Sequence, residues 1–416
     1  MSERALLVVI ELGRRSAWTL EDEEHELEDL VRSSGGRSVG VIHCKRQAPS
    51  PTFFVGEGKA EEIAAAAHAH QAQVVIFNEE LSPAQQRNLQ KLITIKTIDR
   101  TQLILDIFAQ RAHSQEGKVQ VELAQLNYVL PRLAGLGTVL SRMGGGIGSR
   151  GPGETMLETD RRHIRTRILR LKRELVTLER RRGSTRKQRH EQHAPTVALV
   201  GYTNAGKTTL LNTLTDAGAV AEDRLFTTLD PLNRRYVLPN HQTVIFSDTV
   251  GFLHRLPHHL IQAFHATLEE VAEADALVHV LDASHPQARE YGEAVREVLR
   301  ELDAAGKPTL TALNKSDQIT DQRLLRELTR EFAPTATLSA KTGEGLEQLI
   351  DWVGQQLTGG LVEVDLILPL NRMGLLHEIY TEGRVHQREH TASGIHVVAS
   401  VPQRLNDRLH AALRGT

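Results

Sequence analysis

A glycine-rich stretch from Gly201 to Thr208 constrains this chain more than any other feature. It reads Gly-Tyr-Thr-Asn-Ala-Gly-Lys-Thr and matches the pattern GxxxxGK[ST]. The apolar run before it, 196–200, is typical of a buried strand, and residues 209–214 after it favour a helix. This order predicts a P-loop, in which backbone N–H groups and the helix N-terminus bind a phosphate.

Each position of this loop is predicted to contact a nucleotide. Lys207 supplies a positive charge to the β- and γ-phosphates, and Thr208 offers its hydroxyl to Mg²⁺. The alternative is a glycine-rich turn with a chance lysine, but the match lies between a strand and a helix, as a P-loop requires. The predicted contacts are Gly201, Tyr202, Thr203, Asn204, Ala205, Gly206, Lys207 and Thr208.

A second motif, Asp248-Thr249-Val250-Gly251, directly follows the strand-like run 243–246. A carboxylate at a strand end can hold Mg²⁺ through a water molecule, and the N–H group of Gly251 can reach the γ-phosphate. All four residues are therefore predicted to line the phosphate site.

A third motif, Asn314-Lys315-Ser316-Asp317, follows the strand-like run 308–313 and indicates which base is bound. The Asp317 carboxylate can accept hydrogen bonds from guanine N1–H and N2–H₂. Adenine lacks this donor pair and would leave a buried carboxylate unpaired, at a cost in free energy. Ser339-Ala340-Lys341 is predicted to contact the base from the other side. Together the motifs predict a GTP site.

The order of these motifs resembles the translation-factor-related class of GTPases. Two further segments are similar to those of the HflX family of ribosome-associated GTPases. One is Phe226-Thr227-Thr228-Leu229-Asp230, ahead of the Asp248 motif. The other is GGGIGSRGPGE at 144–154, ahead of a basic helix. The resemblance covers most of the chain, and the segment 144–154 is its family-specific part.

The resemblance implies Mg²⁺-dependent hydrolysis of GTP to GDP and phosphate, with the 50S subunit and its rRNA as partners. It places 226–230 on the nucleotide, in a switch I between Asp216 and Pro231, and a switch II from Asp248 to about His259. The expected catalytic residues are Lys207, Thr228 and Gly251. The expected metal ligands are Thr208 and Thr228 directly and Asp248 through water.

Three positions affect the expected chemistry. Thr227 stands where the family pattern predicts a small alanine, so Thr228 is the favoured Mg²⁺ ligand and Thr227 remains an alternative. Phe252 stands where Ras-like enzymes carry a water-orienting glutamine, which predicts slow intrinsic hydrolysis. Asn204 resembles the asparagine of families that use K⁺ beside the phosphates, although it also suits a simple turn.

The expected fold class is α/β. A doubly wound P-loop GTPase sheet is preceded by a small α/β domain and a helical hairpin, and a small α+β domain follows it. The predicted domains are 1–110 (α/β), 111–192 (hairpin with a glycine-rich tip at 144–153), 193–358 (GTPase) and 359–416 (α+β).

Apolar runs and caps predict elements in both flanking domains. In the N-terminal domain they are strands at 5–10, 39–44, 74–77 and 94–97 and helices at 20–31, 58–72 and 82–92. In the C-terminal domain they are strands at 361–368 and 395–399 and helices at 372–382 and 403–413. Four histidines lack spaced partner ligands and are interpreted as surface residues rather than metal ligands: His68, His70, His377 and His386.

Two leucine-rich stripes flank the glycine-rich tip and predict an antiparallel helical hairpin. The first has Leu123, Leu126, Leu130 and Leu133, with Pro131 expected to kink or divide the helix. The second has Leu157, Ile164, Ile168, Leu171, Leu175 and Leu178. The tip has six glycines and is predicted to be non-helical.

The second of these helices is strongly basic. Residues 161–190 contain 13 Lys and Arg against two Glu, a net charge of +11. A solvated helix face normally mixes charges, so this one-sided run favours contact with an RNA phosphate backbone. The alternative is a solvated helix followed by a basic linker.

Composition excludes several classes of protein. Its 40% hydrophobic and 25% charged residues are typical of a globular chain. A single cysteine, Cys44, excludes a disulfide framework. No apolar run is long enough for a transmembrane helix. We expect a cytoplasmic protein and, by default, a monomer.

Two functions remain open from the sequence. The first is a GTP-hydrolysing switch that associates with the 50S subunit in ribosome splitting, rescue or biogenesis. The alternative is a nucleotide-gated RNA-binding or RNA-remodelling module in which hydrolysis is incidental. ATP-driven remodelling would need an adenine site in the N-terminal half, where no second P-loop is found.

Overall fold

The structure is a computed structural model that forms two compact units, each comprising several stretches of the chain. The first unit contains residues 1–186, 222–230 and 250–268, and the second contains 187–221, 231–249 and 269–416. The described residues are 2–13, 18–133, 152–191, 195–215, 225–240, 242–253, 255, 265–319, 321–357, 361–369, 372–391 and 394–414. Residues 144–151 of the predicted tip lie outside them.

A four-stranded parallel sheet forms the N-terminal core, in the order β2-β1-β3-β4. Residues 5–10 of β1 are all buried, as expected for a parallel strand covered on both faces. The elements are β1 (Arg4–Leu12), α1 (Leu20–Ser33), β2 (Arg37–Arg46), α2 (Glu57–Ala69), β3 (Val74–Phe77), α3 (Pro83–Ile93), β4 (Lys96–Asp99) and α4 (Arg100–Arg111).

The predicted N-terminal elements are present, with ends that differ by up to three residues. Thr19 and Asp22 form a capping box at α1, and Ser82 and Gln85 form another at α3. The last strand begins two residues later than predicted. The reason is that Thr94 takes a left-handed conformation (φ 62°) at the end of α3 and turns the chain before β4 starts.

Two long helices pack against each other: α5 (Gln115–Arg132) and α6 (Pro152–Glu191), of which 152–186 belong to the first unit. Their contacts run in opposite directions, since Gln115 bonds Glu174 and Glu122 bonds Arg167. The predicted antiparallel pairing is therefore confirmed. The shared apolar cluster contains Val119, Leu123, Leu126, Leu130, Ile164, Ile168, Leu171, Leu175 and Leu178.

The ends of these helices bear on two expectations. Pro131 lies inside α5, one residue before the helix ends. Proline has no N–H to bond the carbonyl four residues earlier, and α5 ends at the next residue. Gly153 belongs to α6, which begins at Pro152, a residue suited to a first helical turn.

A six-stranded sheet forms the centre of the second unit, in the order β10-β9-β8-β5-β7-β6. All neighbouring strands are parallel except β6, which pairs antiparallel with β7 at the edge and was not predicted. The strands are β5 (Thr196–Gly201), β6 (Leu232–Val237), β7 (Thr243–Asp248), β8 (Ala276–Asp282), β9 (Thr309–Asn314) and β10 (Thr335–Thr337).

Helices cover this sheet and complete the predicted doubly wound architecture. The central strands are almost wholly apolar, and each fully buried Val or Leu contributes about 1.5–3 kcal/mol of transfer free energy. The helices are α7 (Lys207–Thr215), α8 (His265–Glu273), α9 (Ala288–Glu301), α10 (Gln322–Glu331) and α11 (Leu346–Leu357).

The C-terminal segment forms an antiparallel sheet, β11-β13-β12, with two helices packed on its apolar face. Its elements are β11 (Leu361–Leu368), α12 (Met373–Glu382), β12 (Arg384–Thr391), β13 (Gly394–Pro402) and α13 (Gln403–Arg414). Strand β12 was not predicted because its side chains are mostly polar and exposed. In the described part of the chain, no helix is long and apolar enough to cross a membrane.

Candidate functional site

The P-loop joins the end of β5 to the start of α7 and requires glycine at two positions. A Cβ atom on Gly201 would lie 2.3 Å from the carbonyl oxygen of Val280 on the neighbouring strand. Gly206 has φ +96°, and a Cβ there would lie 2.3 Å from the Asn314 side-chain nitrogen. Any larger residue would therefore push the loop away from the sheet.

Lys207 is buried inside this loop and bonded to its backbone. Its Nζ donates to the carbonyl oxygens of Gly201 at 3.1 Å and Tyr202 at 2.9 Å. Burial lowers the Lys207 pKa to about 8, while the nearby Asp248 carboxylate acts in the opposite direction. The ammonium is thus fixed against the loop that is predicted to surround the phosphates.

Thr208, at the start of α7, contacts Asp248, at the end of β7. The Thr208 hydroxyl donates to Asp248 Oδ2 at 2.6 Å, and both side chains are buried. Thr249 follows on and donates its hydroxyl to the carbonyl oxygen of Leu199, which fixes this motif against β5. A hydroxyl and a carboxylate are the oxygen ligands that Mg²⁺ prefers, and the ion keeps several waters. The donor set therefore fits Mg²⁺.

Asn314 connects the P-loop to the base-recognition loops. Its Nδ2 donates to the Ala205 carbonyl at 2.8 Å, and its Oδ1 accepts from the Ala340 N–H at 2.8 Å. Because Asn314 is buried, losing either bond would leave a polar group unsatisfied. Asn314 was predicted to contact GTP, and in the structure its amide lies between the P-loop and the loop at 339–341.

Asp317 and Ser339, both predicted to contact the base, are hydrogen-bonded to each other. The Ser339 hydroxyl donates to Asp317 Oδ1 at 2.7 Å, and this bond lowers the pKa of the Asp317 carboxyl. The bond holds one carboxylate oxygen of Asp317, whose side chain is otherwise exposed. Ser316 donates its N–H to the Leu338 carbonyl, and Lys341 is exposed beside the pair.

Two contacts around the site were missed by sequence reasoning. Lys315 has φ 62°, and its Nζ lies 2.6 Å from Asp282 Oδ2 at the end of β8. The position of Asp282 directly after an apolar strand was the available signal. Tyr202 stacks on Tyr291 with centroids 4.1 Å apart and parallel planes, a contact between distant segments that no local pattern signals.

The remaining P-loop residues differ in exposure. Thr203 is buried, and its hydroxyl has no hydrogen-bond partner among the described atoms. Asn204 is exposed with φ 61°, a conformation that asparagine tolerates better than most residues.

The switch I residues that are predicted to contact the nucleotide, 226–230, belong to the first unit. The Leu225 N–H donates to the Ser33 hydroxyl at 2.8 Å, and the buried Phe226 ring meets Phe108 edge-on at 4.6 Å. Thr227 and Thr228 are half-buried, and Leu229 is buried. Asp230 accepts hydrogen bonds from residues 113 and 114, ahead of α5.

The predicted switch II residues from Val250 onward belong to the first unit. Val250, Gly251 and Phe252 are buried. Further on, the Arg255 guanidinium lies 3.3 Å from Glu79 and 3.6 Å from Glu23. Burial raises the Glu23 pKa, and the positive charge of Arg255 partly opposes this. Phe252 has no side-chain hydrogen-bonding group, as expected from its sequence.

The outer face of α6 is basic and exposed where its side chains are described. Arg161 and Arg167 are only partly exposed, and Arg167 forms two bonds of 2.7 Å with Glu122. Two apolar side chains on α6, Leu169 and Val176, are 57% and 45% exposed among these charges. The exposed basic residues in 158–178 are Arg162, Arg165, Arg170, Lys172 and Arg173.

No group of three or more His, Cys, Asp or Glu side chains suited to a metal ion occurs among the residues the structure describes. His68, His70 and His386 are exposed and His377 is not buried, and none belongs to such a group. Cys44 is buried and unpaired, without a disulfide.

Four protein-family models match consecutive parts of the chain. Residues 21–109 match the N-terminal region of GTP-binding GTPases, and 111–189 match their middle region. Residues 196–315 match a family described as 50S ribosome-binding GTPase, and 325–412 match the HflX C-terminal domain.

Curated relatives decide the family. The GTPase HflX of Lacrimispora saccharolytica is 45% identical over 97% of this chain and 95% of its own length. The chain belongs to the HflX family. The GTPase HflX of Escherichia coli is 48% identical over 84% of this chain and 82% of its own. HflX-family membership and the P-loop fold establish this protein as a GTPase, as the sequence predicted.

One solved structure of similar extent is a GTP-binding protein from Sulfolobus solfataricus in complex with GDP. It is 26% identical to this HflX-family chain and covers 86% of it and 99% of its own length, with a TM-score of 0.46.

Proposed function

We propose that this HflX-family GTPase is a molecular switch that binds the 50S subunit and acts in ribosome splitting, rescue or biogenesis. The observation that carries the proposal is the exposed basic face of α6 in a chain whose P-loop, Asp248 and Asp317 motifs meet at one edge of a sheet. The family description of residues 196–315 supports the same partner.

The proposed chemistry begins with nucleotide binding by the second unit. Lys207 contacts the β- and γ-phosphates together with the N–H groups of the P-loop. Asp317, oriented by Ser339, accepts the N1–H and N2–H₂ groups of guanine. Asn314 ties both loops together, so the phosphate and base contacts form on one rigid frame.

Mg²⁺ would be held by Thr208, by Thr228 of switch I and, through water, by Asp248, with Thr227 as the rival of Thr228. When bound, it would neutralise charge that develops on the phosphate oxygens. Gly251 would offer its N–H to the γ-phosphate. Phe252 cannot orient the attacking water, so a partner must supply or order the missing group.

The basic face of α6 supplies a surface for structured RNA. Its five exposed basic residues in 158–178 carry no interleaved aromatic residues, which favours contact with phosphates over base stacking. The glycine-rich tip at 144–153 is proposed to extend this surface. Binding to rRNA would then order the switches and accelerate hydrolysis, which in turn would release the protein.

The test is GTP turnover with and without purified 50S subunits, repeated after residues 144–153 are replaced by a short neutral linker. We expect a large stimulation that depends on this segment. Equal turnover with and without 50S would refute the proposed partner. If 50S subunits stimulate turnover, sedimentation with intact 70S ribosomes and with immature 50S particles will distinguish the two roles. Separation of 70S ribosomes into subunits indicates splitting, and preferential binding to immature particles indicates biogenesis.

A second candidate is an RNA-binding or remodelling module with incidental hydrolysis, favoured by the same basic face of α6. ATP use would require an adenine site in the N-terminal half. There, Glu23, Glu79 and Arg255 lie near the carboxyl ends of β1 and β3, where parallel sheets commonly bind ligands. The two carboxyl groups disfavour a polyphosphate. ATPase activity retained by Lys207→Ala would support this second candidate.

We also propose K⁺ as an additional ion beside the phosphates, bound with the help of Asn204. The exposed side chain at a left-handed backbone position supports this role, although the same geometry suits a turn. Turnover in K⁺ is expected to exceed turnover in Na⁺ at equal ionic strength. Equal rates, or a K⁺ effect unchanged in Asn204→Ala, would refute the proposal.

A further inference from the structure

Asp230, at the end of switch I, is bound to the N-terminus of α5. Its Oδ2 accepts the N–H groups of His113 at 2.9 Å and Ser114 at 2.7 Å. Its Oδ1 accepts the Ser114 hydroxyl, which also accepts the Gly117 N–H as the helix cap. One carboxylate therefore binds two backbone donors and the cap of the same helix, a favourable position for a negative charge.

Gly117 makes this approach possible. Glycine is disfavoured within helices because it gains no side-chain contacts and loses more conformational freedom than alanine does. A Cβ atom at this position would lie 2.4 Å from Asp230 Oδ1 and 3.1 Å from the Ser114 hydroxyl. A methyl group at residue 117 would therefore displace the Asp230 carboxylate from this position, which accounts for a glycine in the first turn of the helix.

A second anchor holds the other end of the same segment. Phe226 is buried against Phe108 of α4, and the preceding Leu225 N–H binds Ser33 of α1. Thr227 and Thr228 lie between this anchor and Asp230. Because one residue spans at most about 3.6 Å, two anchors four residues apart restrict where these threonines can reach.

Helix α5 also packs against the basic helix, α6. Val119 and Leu123 pack against Ile168 and Leu171 of α6, and the bonds between Glu122 and Arg167 add to the contact. If the N-terminus of α5 moved, the packed side chains would therefore displace α6 directly, without an intervening flexible loop.

We propose that Ser114 and Gly117 are positioning residues that link switch I, through Asp230, to the α5–α6 helix pair. The inference rests on the proposed role of switch I as the nucleotide sensor. Exchange of GTP for GDP changes the position of Thr228, and Asp230, two residues further on, transmits the change to α5.

The test measures amide hydrogen exchange of the segment 111–118 in the full-length protein, with Mg²⁺ and either GDP or a non-hydrolysable GTP analogue. We expect at least a fivefold difference in exchange between the two nucleotides. The responding amides are those of His113 and Ser114, because Asp230 protects them only while it is docked. Equal exchange with both nucleotides would overturn the proposal.

Gly117→Ala is the decisive variant, because its methyl group excludes the Asp230 carboxylate. The nucleotide-dependent difference should fall below twofold, with GDP affinity and binding stoichiometry as in the unmodified protein. Gly58→Ala is the matched control: it also lies in the first turn of a helix but has open space around it, and should retain the full difference.

Ser114→Ala provides a second variant in case Gly117→Ala fails to fold. It removes one hydrogen bond to Asp230 and leaves the two backbone donors, so the nucleotide-dependent difference in amide exchange should fall by about half. A full nucleotide-dependent difference in either folded variant would show that Asp230 is not the link. Because no ribosome is present, this result is independent of whether 50S subunits stimulate turnover.

Discussion

The nucleotide-binding loops and the switch segments are held by different kinds of contact. Lys207, Asn314 and Asp317 are bound by groups from the loops at one edge of the second unit's sheet. The switch residues Phe226, Asp230 and Arg255 are instead bound by side chains and helix ends from residues 23–114. Motif chemistry therefore governs the first region, and tertiary packing governs the second.

The largest expected effect tests the chemistry of the first region. Lys207→Ala removes the buried ammonium that is predicted to bind the β- and γ-phosphates. GTP turnover should fall by about 100- to 1,000-fold, the range for losing one preorganised charge-stabilising donor. Steady-state phosphate release measures this effect. A matched measurement on Lys341→Ala, whose side chain is exposed, should show a much smaller loss.

A smaller effect is expected at the base. Asp317→Asn replaces a double acceptor by a group that cannot pair with both guanine donors. Affinity for GTP should fall by about 10- to 100-fold, since hydrogen bonds to a charged acceptor are stronger than those to a neutral amide. Xanthosine triphosphate, which offers a carbonyl in place of the guanine amino group, should bind the variant better than GTP does. Unchanged GTP affinity would contradict the assigned role.

The third expectation concerns acid stability of the sheet that carries the loops. His279 on β8 is buried, and burial, reinforced by the charges of Arg296 and Lys207, lowers its pKa to about 3. The unfolded chain therefore binds more protons below pH 6.5. Stability is complete above that pH and is lost as pH falls towards 3, by about 2 kcal/mol at pH 5.

Urea unfolding at several pH values measures this dependence. In His279→Leu, the slope of unfolding free energy against pH between 6.5 and 5 should become shallower, whatever the absolute stability. His410→Leu, at an exposed position of α13, should preserve the original slope. An unchanged slope in His279→Leu would show that another group causes the acid sensitivity.

The smallest effect is expected in the switch region. Arg255→Ala removes ion pairs with Glu79 and Glu23 whose side chains are partly exposed. The free energy of unfolding should fall by less than about 1 kcal/mol. A loss of several kcal/mol would contradict the distinction between the nucleotide-binding loops and the switch segments, because switch II would then be part of the rigid core. Glu79→Gln should show a similar or smaller loss.

The sequence allowed much of the fold and the nucleotide loops to be predicted. Strands such as 196–200 and 243–246 are continuous apolar runs, and the motif residues follow them directly, so local order determines where they meet. Strands β6, β10 and β12 were missed because an edge position leaves their side chains polar or half-exposed.

The contacts of the switch residues could not be predicted in the same way. Nothing in the local sequence distinguishes Asp230 from other aspartates. Its position at α5 depends on residues more than a hundred positions earlier in the chain. Gly117 was a local indication of this contact, because a glycine in a helix suggests that another group approaches closely. Without the structure, that indication does not identify the approaching group.

The length of α6 has a mechanical consequence. A helix of 40 residues is about 60 Å long, because each residue adds about 1.5 Å. Tilting such a rod by about 5° around one end moves the other end by about 5 Å, which is close to one helical turn. A small rearrangement at one point of contact is thus converted into a displacement as large as a side chain at the other end.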